Sequence, residues 1–354
     1  MPELRQDPIS GQWVIIAPER AGRPDDFSRE GNAQPQSDCP FCGGNEHLTS
    51  TPLLEIPAEP STRAGWRIRV LPNKYPAVSL LPDATALPGE KNGERCSPAK
   101  HSGQSPALGH HEVVVESPDH LLSITQLDAA QFANVVRVYR DRLRQLKRDP
   151  RLVCALIFKN MGSAGGATLE HVHSQIVALP TVPERLRAEL NGAAQWRERH
   201  GACAYCAMLE REQADSARMV ADTPALAAIS PFAARMPYET WILPRQHSSH
   251  FEDLSDCAVA ELASLLQRVI AAIEVASEGC AYNYVIHSAP FDTPAGDHYH
   301  WHVEIIPRMT RLAGFEWGTG WHINPVTPET AAQRLRKLLG RAEDKEKFRR
   351  ESSD

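Results

Sequence analysis

The chain has 354 residues, with 38 Lys and Arg against 44 Asp and Glu, a formal charge of −6. The basic surplus of a broad nucleic-acid-binding surface is missing, and the length suits about two domains. The longest apolar runs, such as Leu152 to Phe158, fall far short of the roughly 18 residues of a membrane span, and Met1-Pro2-Glu3-Leu4-Arg5 opens no apolar signal region. A cytoplasmic protein with no membrane and no nucleic-acid partner is expected. Eight cysteines then read as thiols or metal ligands and not as a disulfide framework.

In chain order, a C-x-x-C pair (Cys39, Cys42) comes first, then the β-branched run His111 to Ser117, then Asp119-His120 and, seven residues after that His, Leu127-Asp128. Phe132, Val135, Val136, Tyr139, Leu143 and Leu146 follow at helical spacing. A strand-like run from Leu152 to Asn160, a glycine-rich stretch and His171-Val-His173 close the series. The same order then returns: Cys203 and Cys206, the run Tyr238 to Leu243, His247 with Leu254 again seven residues on, a helical period from Val259 to Ile273, Tyr282 to His287, and His300-Trp-His302. A duplicated series predicts an α+β protein of two duplicated halves, each a mostly antiparallel sheet with a packed helix. The halves are set at residues 1–190 and 191–340, with a charged tail at 341–354 expected to fray and weak order expected over 82–109.

The chemistry concentrates in the first half. On a strand, His171, His173 and Gln175 share one face, and just upstream lies Asn160-Met-Gly162-Ser-Ala-Gly165-Gly166-Ala-Thr168, whose backbone can approach a phosphate closely. An imidazole with one nitrogen held protonated offers the other as a nucleophile toward phosphorus, and a Gln beside it can donate to a non-bridging oxygen as charge builds. The second half has Glu304 where Gln175 stands and no comparable glycine stretch, so only the first half reads as catalytic.

These residues resemble the histidine-triad superfamily, in the branch of galactose-1-phosphate uridylyltransferase and ADP-glucose phosphorylase, over most of the chain. The resemblance implies His173 as nucleophile and Gln175 as its partner. It further implies that Arg20 and Arg23 lie by the nucleotide phosphates, Asn73 at the nucleoside, Asn160, Gly162 and Thr168 along the phosphate stretch, and Phe315 and Glu316 at the sugar phosphate. It places metal ligands at Cys39, Cys42, His120 and His171, a zinc set, and the duplication predicts a second zinc site from Cys203, Cys206, His247 and His300. A rival second site takes iron on Glu189, His287, His300 and His302, but thiolates favour zinc. The implied activity is nucleotidyl transfer from a nucleotide sugar to a sugar 1-phosphate through a covalent nucleotidyl-histidine, in a homodimer. UDP-glucose with galactose 1-phosphate leads. ADP-glucose phosphorolysis or adenylyl transfer is the alternative, favoured by Val172, Ser174, Lys74 and the second C-x-x-C. A zinc-stabilised nucleotide-binding protein without turnover, and a nucleotide hydrolase, are the remaining readings.

Overall fold

A computed structural model describes residues 2–22, 39–58, 65–79, 107–292 and 296–351; Arg23 and residues 82–106 of the segment expected to be weakly ordered lie outside them. In chain order the strands and helices are β1 (Glu3–Gln6), β2 (Trp13–Ile16), β3 (Leu54–Pro57), β4 (Trp66–Pro72), β5 (His110–Val115), α1 (Ala129–Leu146), β6 (Cys154–Met161), β7 (His173–Leu179), α2 (Glu184–His200), α3 (Ala204–Asp215), β8 (Met219–Asp222), β9 (Leu226–Ile229), β10 (Thr240–Pro244), α4 (Asp256–Ala276), β11 (Tyr282–His287), β12 (His302–Pro307), α5 (Gly314–Thr319), β13 (His322–Asn324) and α6 (Pro328–Glu351). No helix among the described residues is long and apolar enough to cross a membrane.

The two half-sheets join edge to edge in one ten-stranded antiparallel sheet, ordered β3-β4-β5-β7-β6-β11-β12-β10-β9-β8. Read from either edge inward, the strands follow the same sequence order, so a pseudo-two-fold axis passes between β6 and β11, where Phe158 lies opposite Val285. A separate small sheet, β1-β2-β13, ties the start of the chain to its end.

One face of the large sheet is buried under α1 and α4. Both helices begin at a side-chain cap that satisfies an otherwise orphaned N–H: Asp128 accepts from the Gln131 N–H at 2.7 Å and Ser255 from the Ala258 N–H at 3.2 Å. The predicted apolar stripes, Phe132 to Leu146 and Val259 to Ile273, enter one core with Ile68, Val70, Val114, Ile157, Ile176 and Tyr284 of the strands. Residues of the opposite parity, among them His111, Phe158, Asn160, His173 and Gln175, therefore face the other side.

Three features differ from the expectation. The C-terminal segment, composed largely of good helix formers, continues α6 as far as Glu351, anchored by buried Ala331, Ala332, Leu335 and Leu339. Two helices, α2 and α3, intervene between the halves and cover the second half's free face. Cys203 stands at the N-cap of α3, whereas Cys39 and Cys42 sit in a turn.

Candidate active site

His171 occupies a bend just before β7, and β7 opens at His173. The strand lies between β5 and β6, with Gln175 opposite Val113 on one side and Phe158 on the other. His173 keeps 8% of its surface exposed. Its Nδ1 is 2.6 Å from the carbonyl oxygen of His171; a carbonyl only accepts, so Nδ1 carries the ring hydrogen and Nε2 keeps its lone pair. Burial holds this imidazole below the usual His range, so the unprotonated ring is the resting form at neutral pH.

The strand is pinned from behind. Lys159, buried to 1% exposure, donates through Nζ to the His173 carbonyl at 2.8 Å and to Glu116 Oε2 at 2.7 Å, while Tyr139 OH donates to Glu116 Oε1 at 2.8 Å. A buried ion pair this well satisfied fixes geometry, and removing either partner would leave an uncompensated charge. From the front, the Phe41 ring packs 5.4 Å from His173 and 5.9 Å from His171, so the first C-x-x-C turn abuts both histidines.

The glycine stretch forms a single 3-10 turn, Ser163–Gly165. Gly162 has φ +72°, and a Cβ there would lie 2.8 Å from the Ala281 Cβ; one at Gly165 would lie 2.9 Å from the Tyr282 carbonyl oxygen. Close approach to the second half requires these glycines. The N–H groups of Gly165, Gly166 and Ala167 are used within the turn, on the carbonyls of Gly162 and Ser163, so the stretch offers proximity and not these donors. Asn283 of the second half clamps it: its Nδ2 donates to Gly165 O at 2.7 Å and Asn160 Oδ1 at 2.8 Å, and its Oδ1 accepts from Arg308 Nε. With its oxygen so engaged, Asn160 keeps its amide nitrogen, which lies 3.7 Å from where a Gly166 Cβ would stand. Thr168 is exposed.

Cys39, Cys42, His120 and His171 bring four ligand atoms within 4.8 Å of one another. Cys42 Sγ is 3.3 Å from His120 Nδ1 and 3.6 Å from His171 Nδ1, and Cys39 Sγ is 3.6 Å from His171 Nδ1. Donors on a tetrahedral zinc lie about 3.3–3.8 Å apart, given its bond lengths. The far nitrogen of His171 donates to the Ser117 carbonyl at 2.8 Å, which aims Nδ1 at the cluster. Burial lowers His171 to about 4, the neutral form a ligand needs, while burial and the adjacent Cys39 push the Cys42 thiol up to about 11, a cost that a divalent cation relieves.

The second cluster repeats the first. Cys203, Cys206, His247 and His300 also converge within 4.8 Å, with Cys206 Sγ 3.4 Å from His247 Nδ1 and 3.7 Å from His300 Nδ1. The rings of His120 and His171 are 5.3 Å apart at 80°, and so are those of His247 and His300. His250 points elsewhere, onto Ser249 and the Pro290 carbonyl. Both donor sets fit a tetrahedral zinc ion.

The rival iron set is not brought together. Both ring nitrogens of His300 are engaged, Nδ1 toward Cys206 and Nε2 with the Pro244 carbonyl at 2.8 Å. Glu189, His287 and His302 instead meet Glu304 in a separate buried cluster. There Glu304 pairs with Arg235 at 2.8 Å and Arg185 at 3.0 Å, and His287 Nδ1 lies 3.1 Å from Glu189. Burial alone would lower His287, but Glu189 and Glu304 outweigh it and raise the imidazole to about 10. These residues pair with one another as an ion-pair network, although His287 Nε2 makes no hydrogen bond and lies 3.6 Å from Glu304, and the four side chains converge closely enough to hold a metal ion.

The remaining predicted residues are spread more widely. Asn73 adjoins His111, its backbone N–H donating to the His111 carbonyl at 2.8 Å. Arg20 is exposed on the 3-10 helix Pro18–Gly22. Phe315, 42% exposed, and Glu316, which accepts from the Ala313 N–H at 2.9 Å, lie on α5, and no hydrogen bond or ring contact among the described residues joins either to His173. Phe41, Lys159, Glu116, His111 and Asn283 were not singled out from the sequence. Period-2 spacing finds His111 on the face of Gln175; nothing local marks the others.

The family model for the N-terminal domain of galactose-1-phosphate uridyl transferase matches residues 1–183, and a domain of unknown function (DUF4921) matches 107–352. The chain is 35% identical to the ADP-glucose phosphorylase of Arabidopsis thaliana, covering 95% of this chain and 93% of that protein. It is 32% identical to the galactose-1-phosphate uridylyltransferase of Thermotoga maritima, covering 95% and 98%. The crystal structure of the Arabidopsis thaliana ADP-glucose phosphorylase with bound ADP-glucose superposes with a TM-score of 0.79 at 33% identity, over 95% of this chain and 99% of that one. The chain therefore belongs to the galactose-1-phosphate uridylyltransferase family, and its relatives include ADP-glucose phosphorylase.

Proposed function

We propose that this chain transfers a nucleotidyl group from a nucleoside diphosphate hexose, through a covalent intermediate on His173. The observation that carries the reading is the His173 Nδ1–H bond to the His171 carbonyl, which leaves the Nε2 lone pair for attack. In the first step Nε2 bonds to the α-phosphorus, the bond from that phosphorus to the bridging oxygen breaks, and hexose 1-phosphate leaves with the electron pair. In the second, a phosphate oxygen of the acceptor attacks the same phosphorus and the P–N bond returns its electrons to His173. Gln175 donates to a non-bridging oxygen as negative charge grows. Arg20 and Arg23 serve the phosphates, Asn73 the nucleoside, Asn160, Gly162 and Thr168 the phosphate stretch, and Phe315 and Glu316 the sugar phosphate.

Zinc at Cys39, Cys42, His120 and His171, and again at Cys203, Cys206, His247 and His300, would supply fixed anchorage; four protein ligands leave no open coordination position. The first set lies next to His173 through His171 and Phe41 and so orients the nucleophile. The exposed Phe315 and Trp317 (77%) on α5 support a homodimer in which this surface is covered.

Two nucleotides are in question. Uridylyl transfer from UDP-glucose to galactose 1-phosphate follows the family pattern. Adenylyl transfer from ADP-glucose to phosphate or a sugar phosphate is supported by the higher identity to ADP-glucose phosphorylase, by the intact second cysteine pair and by Lys74, Val172 and Ser174. The test is the intact mass of the protein after incubation with UDP-glucose, and separately ADP-glucose, without acceptor and at alkaline pH. A UMP or AMP adduct, with release of glucose 1-phosphate, is the expected result and names the base. Binding without an adduct points to the non-catalytic reading, and steady release of free nucleotide points to hydrolysis.

A further inference from the structure

We propose that His111 is a positioning residue for Gln175, locking its amide so that the amide nitrogen is left for the substrate. This rests on the reading in which Gln175 donates to a phosphate oxygen. The Ala77 backbone N–H, which can only donate, lies 3.0 Å from His111 Nδ1. Nδ1 is therefore the acceptor and the ring hydrogen is on Nε2. Nε2 is 2.8 Å from Gln175 Oε1, so the amide oxygen is the accepting atom and the nitrogen is turned away from His111. Asn73 reaches the same oxygen: its Oδ1 accepts from the Tyr75 N–H at 2.8 Å, so its Nδ2 is a donor and lies 3.4 Å from Gln175 Oε1, while its 3.0 Å approach to His111 Nε2 sets two donors side by side and is not a hydrogen bond in this tautomer. An unheld Gln amide can rotate by a half turn and present its oxygen to a phosphate, replacing attraction with repulsion.

The strand register makes this contact. Val113 is the direct partner of Gln175, and His111, two residues along β5, is its diagonal neighbour on the same face. In the second half Trp241 faces Glu304 in the same way, which puts Glu239 at the position of His111. There the two carboxylates are bridged by Arg235, with its guanidinium on Glu239 and 2.8 Å from Glu304. A His-to-amide lock is found in the half with the accessible nucleophile and an ion pair in the other.

The test measures the rate of nucleotidyl-enzyme formation by rapid quench and intact mass, with whichever of UDP-glucose and ADP-glucose labels the native protein. His111→Ala is expected to slow that step by about 10- to 100-fold, with KM changed by less than about threefold, because the lost donor orientation acts on developing charge. His111→Gln, which restores an N–H near the place of Nε2, is expected to recover most of the rate. In a Gln175→Ala background, adding His111→Ala is expected to change nothing further. Zinc content and melting temperature identify any variant that has lost its fold, and for such a variant the comparison is made with His111→Gln. The proposal is overturned if His111→Ala acts by the same factor with and without Gln175, or if a folded His111→Gln is as slow as His111→Ala. A native protein labelled by neither nucleotide sugar overturns the transfer reading itself.

Discussion

The two halves place equivalent strands, turns and helices in the same order, yet they treat the same sheet face in opposite ways. In the first half, among the described residues, that face carries the Phe41 turn and leaves Gln175 partly exposed and His173 with 8% of its surface exposed. In the second it is roofed by α2 and α3, whose Leu186, Ala193, Tyr205 and Leu209 pack with Ala227, Ile229, Trp241 and Leu243. The register sets His302 against His173, Glu304 against Gln175 and His287 against Asn160. His302 makes the same Nδ1 contact to the carbonyl two residues back, at 3.1 Å, but is 1% exposed and stacks on His287 at 4.6 Å and Trp241 at 5.2 Å. Where one half keeps neutral amides aimed outward, the other has carboxylates, guanidinia and an imidazolium aimed at each other. A shared scaffold thus yields a reactive or a structural site according to whether its polar groups are left for a ligand or satisfied internally.

The largest expected effect breaks the equivalence outright. His173→Gly should reduce nucleotidyl transfer by at least ~10⁴-fold, as loss of a covalent nucleophile does, while His302→Ala leaves the rate within about threefold; quenched-flow labelling reads both. The metal clusters sharpen the contrast. Cys42→Ser should lower the transfer rate by about 10- to 100-fold, because the strand holding His173 loses its anchor, whereas Cys206→Ser should reduce thermal stability more than rate. Metal analysis should show one zinc lost per chain in each.

Smaller effects fall on stability. Arg235→Met leaves Glu239 and Glu304 buried without their shared cation and should cost about 3 kcal/mol in urea unfolding, with little change in activity at temperatures where the protein stays folded. His287 adds a pH signature. Its folded value, about 10, lies above the ordinary 6.5, so its contribution is fully present below about pH 6.5 and is lost as the pH rises through 10. The stability gap between the native protein and His287→Gln should therefore shrink from pH 6 to pH 10.

Much of this was legible in the sequence because the duplication supplied two copies of every signal. The helical stripes of α1 and α4, the β6 and β11 runs and the paired C-x-x-C motifs each had a counterpart to support them. The edge-to-edge union of the half-sheets was not legible, since β6 and β11 pair across more than a hundred residues with no local mark. Nor were α2 and α3, whose buried positions, Leu186, Glu189, Ala193, Leu209 and Glu212 among them, mix apolar with charged residues and give a weak stripe. The Lys159–Glu116 pair was hidden for a related reason: a lysine inside a strand reads as exposed until the partner behind the sheet is known. The iron set read from the sequence differs from the cluster that forms at a single side chain: Glu304, not His300, joins Glu189, His287 and His302.

The central claim is that the nucleotide is carried by the first half alone. Its most direct measurement is peptide mapping, under alkaline conditions, of protein labelled with UDP-glucose or ADP-glucose in the absence of acceptor. The account predicts one nucleotidyl group per chain, on His173, and none on the peptide containing His302. A label on His302, or a labelled His173→Gly variant, would contradict it.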